Sequence, residues 1–117
     1  MTLARIRYLV RQLSKKYKAI GRVAGKYLEA GFSVRINHPT HLGNAHIVAQ
    51  GNGQKILVEV YYSSSPLKAE DVRKVAEKAK LLKAKPVIAL YGRRTPVTPE
   101  ALAEAAKLGV KVKRVRL

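Results

Sequence analysis

The chain has 117 residues, 24 of them Lys or Arg against 7 Asp or Glu, for a formal charge of +17, and it contains no cysteine. A single domain of this length buries roughly 65% of the surface its unfolded form exposes, so a core forms without staples, while disulfides, thiolate metal sites and thiol nucleophiles are excluded. The longest purely apolar run, Val87 to Tyr91, is far too short to span a bilayer, and Arg5, Arg7 and Arg11 interrupt any signal-peptide core; a cytoplasmic protein without a membrane partner is expected.

Leu3, Ile6, Val10 and Leu13 recur at helical spacing and predict a first helix over about 3–13. After Ser14 a second stripe of Ile20, Val23, Ala24, Tyr27 and Leu28 predicts another helix, stopped at Gly31, with Lys18, Arg22 and Lys26 stacked on its far side. Like charges four apart oppose helix formation by roughly 0.2–0.5 kcal/mol per pair, a penalty that a bound phosphate reverses. Phe32 to Ile36 alternates as a strand, and Asn37 to Gly43, with His38 and His41, reads as a loop.

Two strands follow, Ala45–Ala49 and Lys55–Tyr62, joined at Asn52-Gly53, the strongest short hairpin signal. A two-residue type I′ turn makes Gly51 and Gln54 the first pair and sets His46 opposite Glu59. Alternation then puts Ile47, Ala49, Ile56, Val58 and Val60 on one face and His46, Glu59 and Tyr61 on the other. Ser63, Ser64 and Ser65 with Pro66 supply a helix start, leading to a helix over about Lys68–Lys83 with Val72, Val75, Ala76, Ala79 and Leu82 inward. Val87–Leu90 is apolar on both faces, as a covered parallel strand is, and Gly92 ends it. Thr98, Pro99 and Gly109 bracket a last helix before an edge strand at Val110–Val112. The order is ααβββαβαβ in one domain, with an N-terminal helix of about 3–13 added to a core of about 15–117.

A surplus of seventeen positive charges on so small a domain calls for a polyanion, and nucleic acid is the usual one. Thermophile surfaces raise Glu alongside Lys, whereas here acids are scarce. The candidate phosphate contacts are Lys15, Lys18, Arg22 and Lys26 on the second helical stretch, Arg35 near the loop histidines, Arg93 and Arg94 after the covered strand, and Lys111, Lys113, Arg114 and Arg116 at the C-terminus. With six Tyr, one Phe and no Trp, base stacking gives way to recognition of backbone or shape in duplex or branched nucleic acid, DNA before RNA.

In that order, Gly31-Phe32-Ser33-Val34-Arg35, then Asn44-Ala45-His46-Ile47-Val48-Ala49, then Ile56-Leu57-Val58-Glu59-Val60, a helix, and Pro86-Val87-Ile88-Ala89-Leu90 resemble the PD-(D/E)xK restriction-endonuclease-like superfamily, most of all archaeal Holliday-junction resolvases. The resemblance covers about Ala19 to Tyr91. It implies an α/β fold, a mixed central sheet flanked by helices, and, with archaeal and thermophilic relatives, a homodimer. In the family a helix Glu, an Asp on the second strand and a Glu-x-Lys on the third hold Mg²⁺ and activate water. Here Ile20, His46 and Tyr61 stand at three of those four positions and only Glu59 remains. Mg²⁺ requires carboxylate oxygens, and a tyrosine phenol is no substitute for a lysine cation, so a catalytically silent scaffold with no cofactor is expected. Two alternatives stay open. One is an active endonuclease, either using Mg²⁺ or Mn²⁺ at Glu59 and His46 or cleaving RNA without metal through His38, His41, His46 and Tyr61. The other is a non-catalytic dimerisation subunit that pairs through the first helix or the last edge strand.

Overall fold

The computed structural model describes residues 2–62, 65–91 and 95–115. Thr2 caps helix α1 (Leu3–Tyr17), its hydroxyl accepting from the Arg5 N–H at 3.2 Å. Helix α2 (Ala19–Glu29) follows after one residue, Lys18, whose φ of 57° lies in the left-handed region. Two expectations are corrected here: α1 runs a turn beyond Leu13, and Lys18 is the hinge between helices, so it does not stack on Arg22 and Lys26. The cause is close packing of a helical hairpin. A Cβ on Gly21 would overlap the Leu13 carbonyl, and one on Gly25 would come within 2.9 Å of Val10 Cγ1, so the two glycines, one turn apart, let α2 lie directly against α1.

Strands β1 (Ser33–His38), β2 (Ala45–Gly51) and β3 (Gln54–Tyr61) form an antiparallel meander. The turn is as expected, with Asn52 and Gly53 at φ of 52° and 71° and Gly51 paired with Gln54. β1 is longer than its sequence pattern indicated. Asn37 adopts φ 56°, which asparagine tolerates better than most side chains, and the strand continues so that His38 pairs with Ala45 rather than lying in the loop.

Helix α3 (Ala69–Leu82) starts differently from the serine-proline reading. Lys68 precedes its first turn, and Asp71 Oδ2 accepts from the Lys68 N–H at 2.9 Å; Ser63, Ser64 and Gly92 lie outside the described residues. β4 (Lys85–Tyr91) runs parallel to β3. In α4 (Pro99–Leu108) the Thr98 hydroxyl accepts from the Ala101 N–H at 3.1 Å, and Gly109 closes the helix at φ 69°. β5 (Lys111–Val115) runs parallel to β4 and continues beyond the expected end at Val112, taking in Lys113, Arg114 and Val115.

The sheet order is β1-β2-β3-β4-β5, so the last strand is an edge and β4 is covered on both faces. On one face Ile47, Ala49, Val58, Val60, Val87 and Ala89 pack with Val23, Ala24 and Tyr27 of α2. On the other, Val48, Leu57, Ile88 and Leu90 pack with Val72, Val75 and Ala79 of α3 and with Ala101 and Ala105 of α4. Because α3 and α4 lie over β3, β4 and β5, the outer part of this second face is left open, and Ser33, Arg35 and Gln50 stand exposed on it.

Candidate functional site

Regular pairing of β2 with β3 ends at Ile47 and Val58. One step further, side chains take over from the backbone ladder: the His46 N–H donates to Glu59 Oε2 at 3.2 Å, and the Val60 N–H donates to His46 Nδ1 at 2.9 Å. Glu59 is 3% exposed. A carboxylate so deeply buried requires a counter-charge. Lys78 of α3 provides it, its Nζ standing 2.5 Å from Glu59 Oε1 and donating also to the Asn44 carbonyl at 3.1 Å. Glu59 Oε2 also lies 3.1 Å from His46 Nδ1. That nitrogen accepts the Val60 N–H, so its lone pair is engaged there rather than being free for another donor.

Tyr61 lies two residues on, on the same side of the sheet. Burial first, then the charges of Asp71 and Glu59, push its phenol up from 10.0 to about 12. It stays protonated throughout the neutral range and is a poor proton shuttle there.

His46, Glu59 and Tyr61 are thus brought together as the hairpin register required, but not as a metal site. Among the described residues no group of three or more His, Asp or Glu side chains could hold an ion. The position where the resemblance places the superfamily's Mg²⁺ offers one carboxylate, Glu59, and that carboxylate faces the Lys78 ammonium. The residues present do not fit the metal. Nor are the histidines gathered for metal-independent work. His38 lines a cavity on the open sheet face, while His41 lines a different one of about 480 Å³, beside Leu81 and Leu82.

The basic candidates divide between faces. Arg22 donates to the Tyr91 hydroxyl at 3.1 Å, and the Lys113 ammonium stands 5.0 Å from the Tyr27 ring centre, which places both on the α2 side of the sheet with Lys111. Lys15, Lys18 and Lys26 are exposed around the helical hairpin. Arg114 faces the other way, and its guanidinium donates to the Thr95 carbonyl at 2.9 Å, a structural tie. Arg35 is not part of the α2 group; it lies on the open half of the opposite face. Arg93, Arg94 and Arg116 lie outside the described residues.

Two residues escaped the sequence reading. Lys78 sits three residues after Val75 and four before Leu82, at the margin of the inward stripe of α3, where a long cationic side chain reaches the sheet. Lys55 pairs with Gln50 and shares the Glu59 face by simple alternation.

No protein-family model matches the chain, and no curated protein does. Solved structures do. A repair endonuclease from Pyrococcus abyssi is similar over 94% of this chain and 46% of its own length, at 14% identity and a TM-score of 0.62. EndoMS in complex with double-stranded DNA is similar over 94% of this chain and 44% of its own, at 13% identity and a TM-score of 0.62. A protein of unknown function, AF1548, is similar over 79% of this chain and 54% of its own, at 18% identity and a TM-score of 0.62. The chain spans about half the length of each. Identities this low speak to architecture alone, and the architecture agrees with the element order and mixed sheet described above: the chain has the fold of the PD-(D/E)xK restriction-endonuclease-like superfamily.

Proposed function

We propose that this is a nucleic-acid-binding protein on a nuclease-like scaffold without catalytic activity, gripping the phosphate backbone of duplex or branched DNA, or of structured RNA, through its basic side chains. The observation that carries the reading is the pairing of Glu59 with Lys78. The one acid left at the position of the superfamily's metal is buried and neutralised from within the chain, while the charge of +17 remains for an external polyanion. The double-stranded DNA in the EndoMS structure favours DNA as that polyanion. Among the described residues no helix is long and apolar enough to cross a membrane.

The test is a gel shift at several salt concentrations alongside a cleavage assay. Log affinity falls against log salt with a slope of about 0.9 for each duplex phosphate neutralised, and a flat dependence removes the binding claim. Labelled single-stranded RNA, duplexes and four-way junctions stay intact with EDTA, Mg²⁺ or Mn²⁺. Cleavage that disappears in His46→Ala would establish an active endonuclease instead.

One observation favours a dimerisation role beside binding. Leu3 and Tyr8 on α1 are 62% and 46% exposed, and α1 buries no residue completely. The β5 edge is a poorer interface, since Lys111, Lys113 and Arg114 guard it in the way edge strands avoid pairing. Sedimentation over a range of protein concentrations without nucleic acid separates the two roles.

A further inference from the structure

The open half of the sheet carries a cavity of about 190 Å³ lined by Ser33, Arg35, His38, Val48, Gln50 and Lys55. Its walls are hydrogen-bonding groups over one apolar floor residue, and none of them is an acid. Arg35 stands on β1 beside Val48, and Lys55 on β3 beside Gln50. They are therefore two strand spacings, about 10 Å, apart across the sheet and two residues, about 7 Å, apart along it. Side chains as long as theirs close that gap over Val48. The left-handed turn of the backbone at Asn37 brings His38 round to the same concavity. Glu59, the acid nearest along this face of β3, lies beyond Leu57 and is held by Lys78. Neither Arg35 nor Lys55 has an ion pair with any described residue.

Two cations without an ion pair among the described residues, converging on one small cavity beside an imidazole, repel each other unless an anion joins them. The cavity is below the roughly 300–1,000 Å³ of sites that enclose a whole drug-sized ligand, and at about 30 Å³ per water it has room for one compact group and part of its hydration. The planar fork of an arginine and the point charge of a lysine are the pair that phosphate recognition uses. We infer that this cavity is a phosphate site, separate from the α2 basic face, which seats one phosphate of the nucleic acid between Arg35 and Lys55. The inference rests on the nucleic-acid reading for its physiological ligand, though not for the site itself.

The experiment has two arms. In the first, inorganic phosphate is titrated into the ¹⁵N-labelled protein. Amide signals of Ser33, Arg35, Gln50 and Lys55 shift saturably in the wild type and not in Arg35→Ala/Lys55→Ala; absence of such shifts in the wild type overturns the site. In the second, the same double variant binds duplex roughly ten- to a hundredfold more weakly, with the salt slope reduced by about one. A control that removes equal charge elsewhere, Lys80→Ala/Lys107→Ala, keeps its slope. Covalently closed circular duplex and linear duplex bearing a 5′-phosphate distinguish sources. Loss on both identifies an internal phosphodiester, and loss on the linear form alone a terminal phosphate. Equal slopes for wild type and double variant on every duplex overturn the inference while leaving the binding function in place. Phosphate binding with no duplex or RNA binding overturns the function and leaves the site.

Discussion

Replacing Lys78 with methionine removes an ammonium from a position where its partner cannot reach water. The Glu59 side chain is 5% exposed and that of Lys78 14%, so the pair is buried on both sides. Methionine keeps the helix propensity of α3 and most of the aliphatic stem, so the loss is confined to charge. Truncating one member of such a pair costs about 3–5 kcal/mol, because among the described residues the remaining carboxylate keeps the His46 N–H as its one donor. At about 4 °C per kcal/mol for a domain of this size, the melting temperature of Lys78→Met falls by about 12–20 °C. The penalty belongs to the orphaned charge rather than to the lost contact. Glu59→Leu combined with Lys78→Met therefore restores stability to within about 1 kcal/mol of wild type, the behaviour of buried pairs replaced by apolar side chains. Thermal and urea melts followed by circular dichroism measure Lys78→Met, Glu59→Leu and the double variant. A Lys78→Met protein within 1 kcal/mol of wild type, or a double variant whose loss is the sum of the singles, would refute the claim that Lys78 is the counter-charge of Glu59.

Tyr61→Phe tests the phenol. In the unfolded chain it ionises near 10, and in the folded one near 12, so the stability linked to its neutral form is complete below pH 10 and is lost as pH rises towards 12. The stability difference between wild type and Tyr61→Phe therefore changes only over that window, and parallel pH curves across it count against the burial argument. Gly21→Ala sets a methyl against the Leu13 carbonyl, which cannot yield as a side chain does; a loss of about 1–3 kcal/mol is expected, with faster amide exchange along α1. Asn37→Val costs about 1–2 kcal/mol by putting a branched side chain in the left-handed region, while Asn37→Gly stays within about 1 kcal/mol of wild type; chemical denaturation of the pair shows whether the backbone there is as described.

Register was the most legible part of the site. Asn52-Gly53 dictates one turn geometry, and a period of two leaves a single choice of faces, so His46, Glu59 and Tyr61 follow from counting. What joins them was not legible. The ladder opens beyond Ile47 and Val58, and the His46 ring takes the Val60 proton that a strand carbonyl would accept in a regular pair. Lys78 lay hidden for another reason: which residue of α3 stands over Glu59 depends on how far the helix slides along the sheet, and no local pattern encodes that translation. The basic residues were found by charge but not grouped. Alternation assigns Arg35 and Lys55 to one face, yet only the position of α3 over β3, β4 and β5 shows that their half of the face is uncovered.

The two halves of that face divide the labour. In an enzyme of this superfamily, the resemblance implies, carboxylates hold a divalent ion whose excess charge attracts the phosphate and activates water beside it. Here Glu59 and Lys78 cancel, so that corner of the sheet has neither excess charge to draw a phosphate nor an open position from which to activate a nucleophile. In the proposed phosphate site, attraction along the same strands falls instead to Lys55, four residues before Glu59, and to Arg35 two strands away. The proposed binding without cleavage would therefore follow from where the cations sit. On this proposal, changes at Lys78 and Glu59 are expected to alter stability and changes at Arg35 and Lys55 affinity, and the two sets are separable by experiment because Leu57, fully buried between them on β3, belongs to the core rather than to either site.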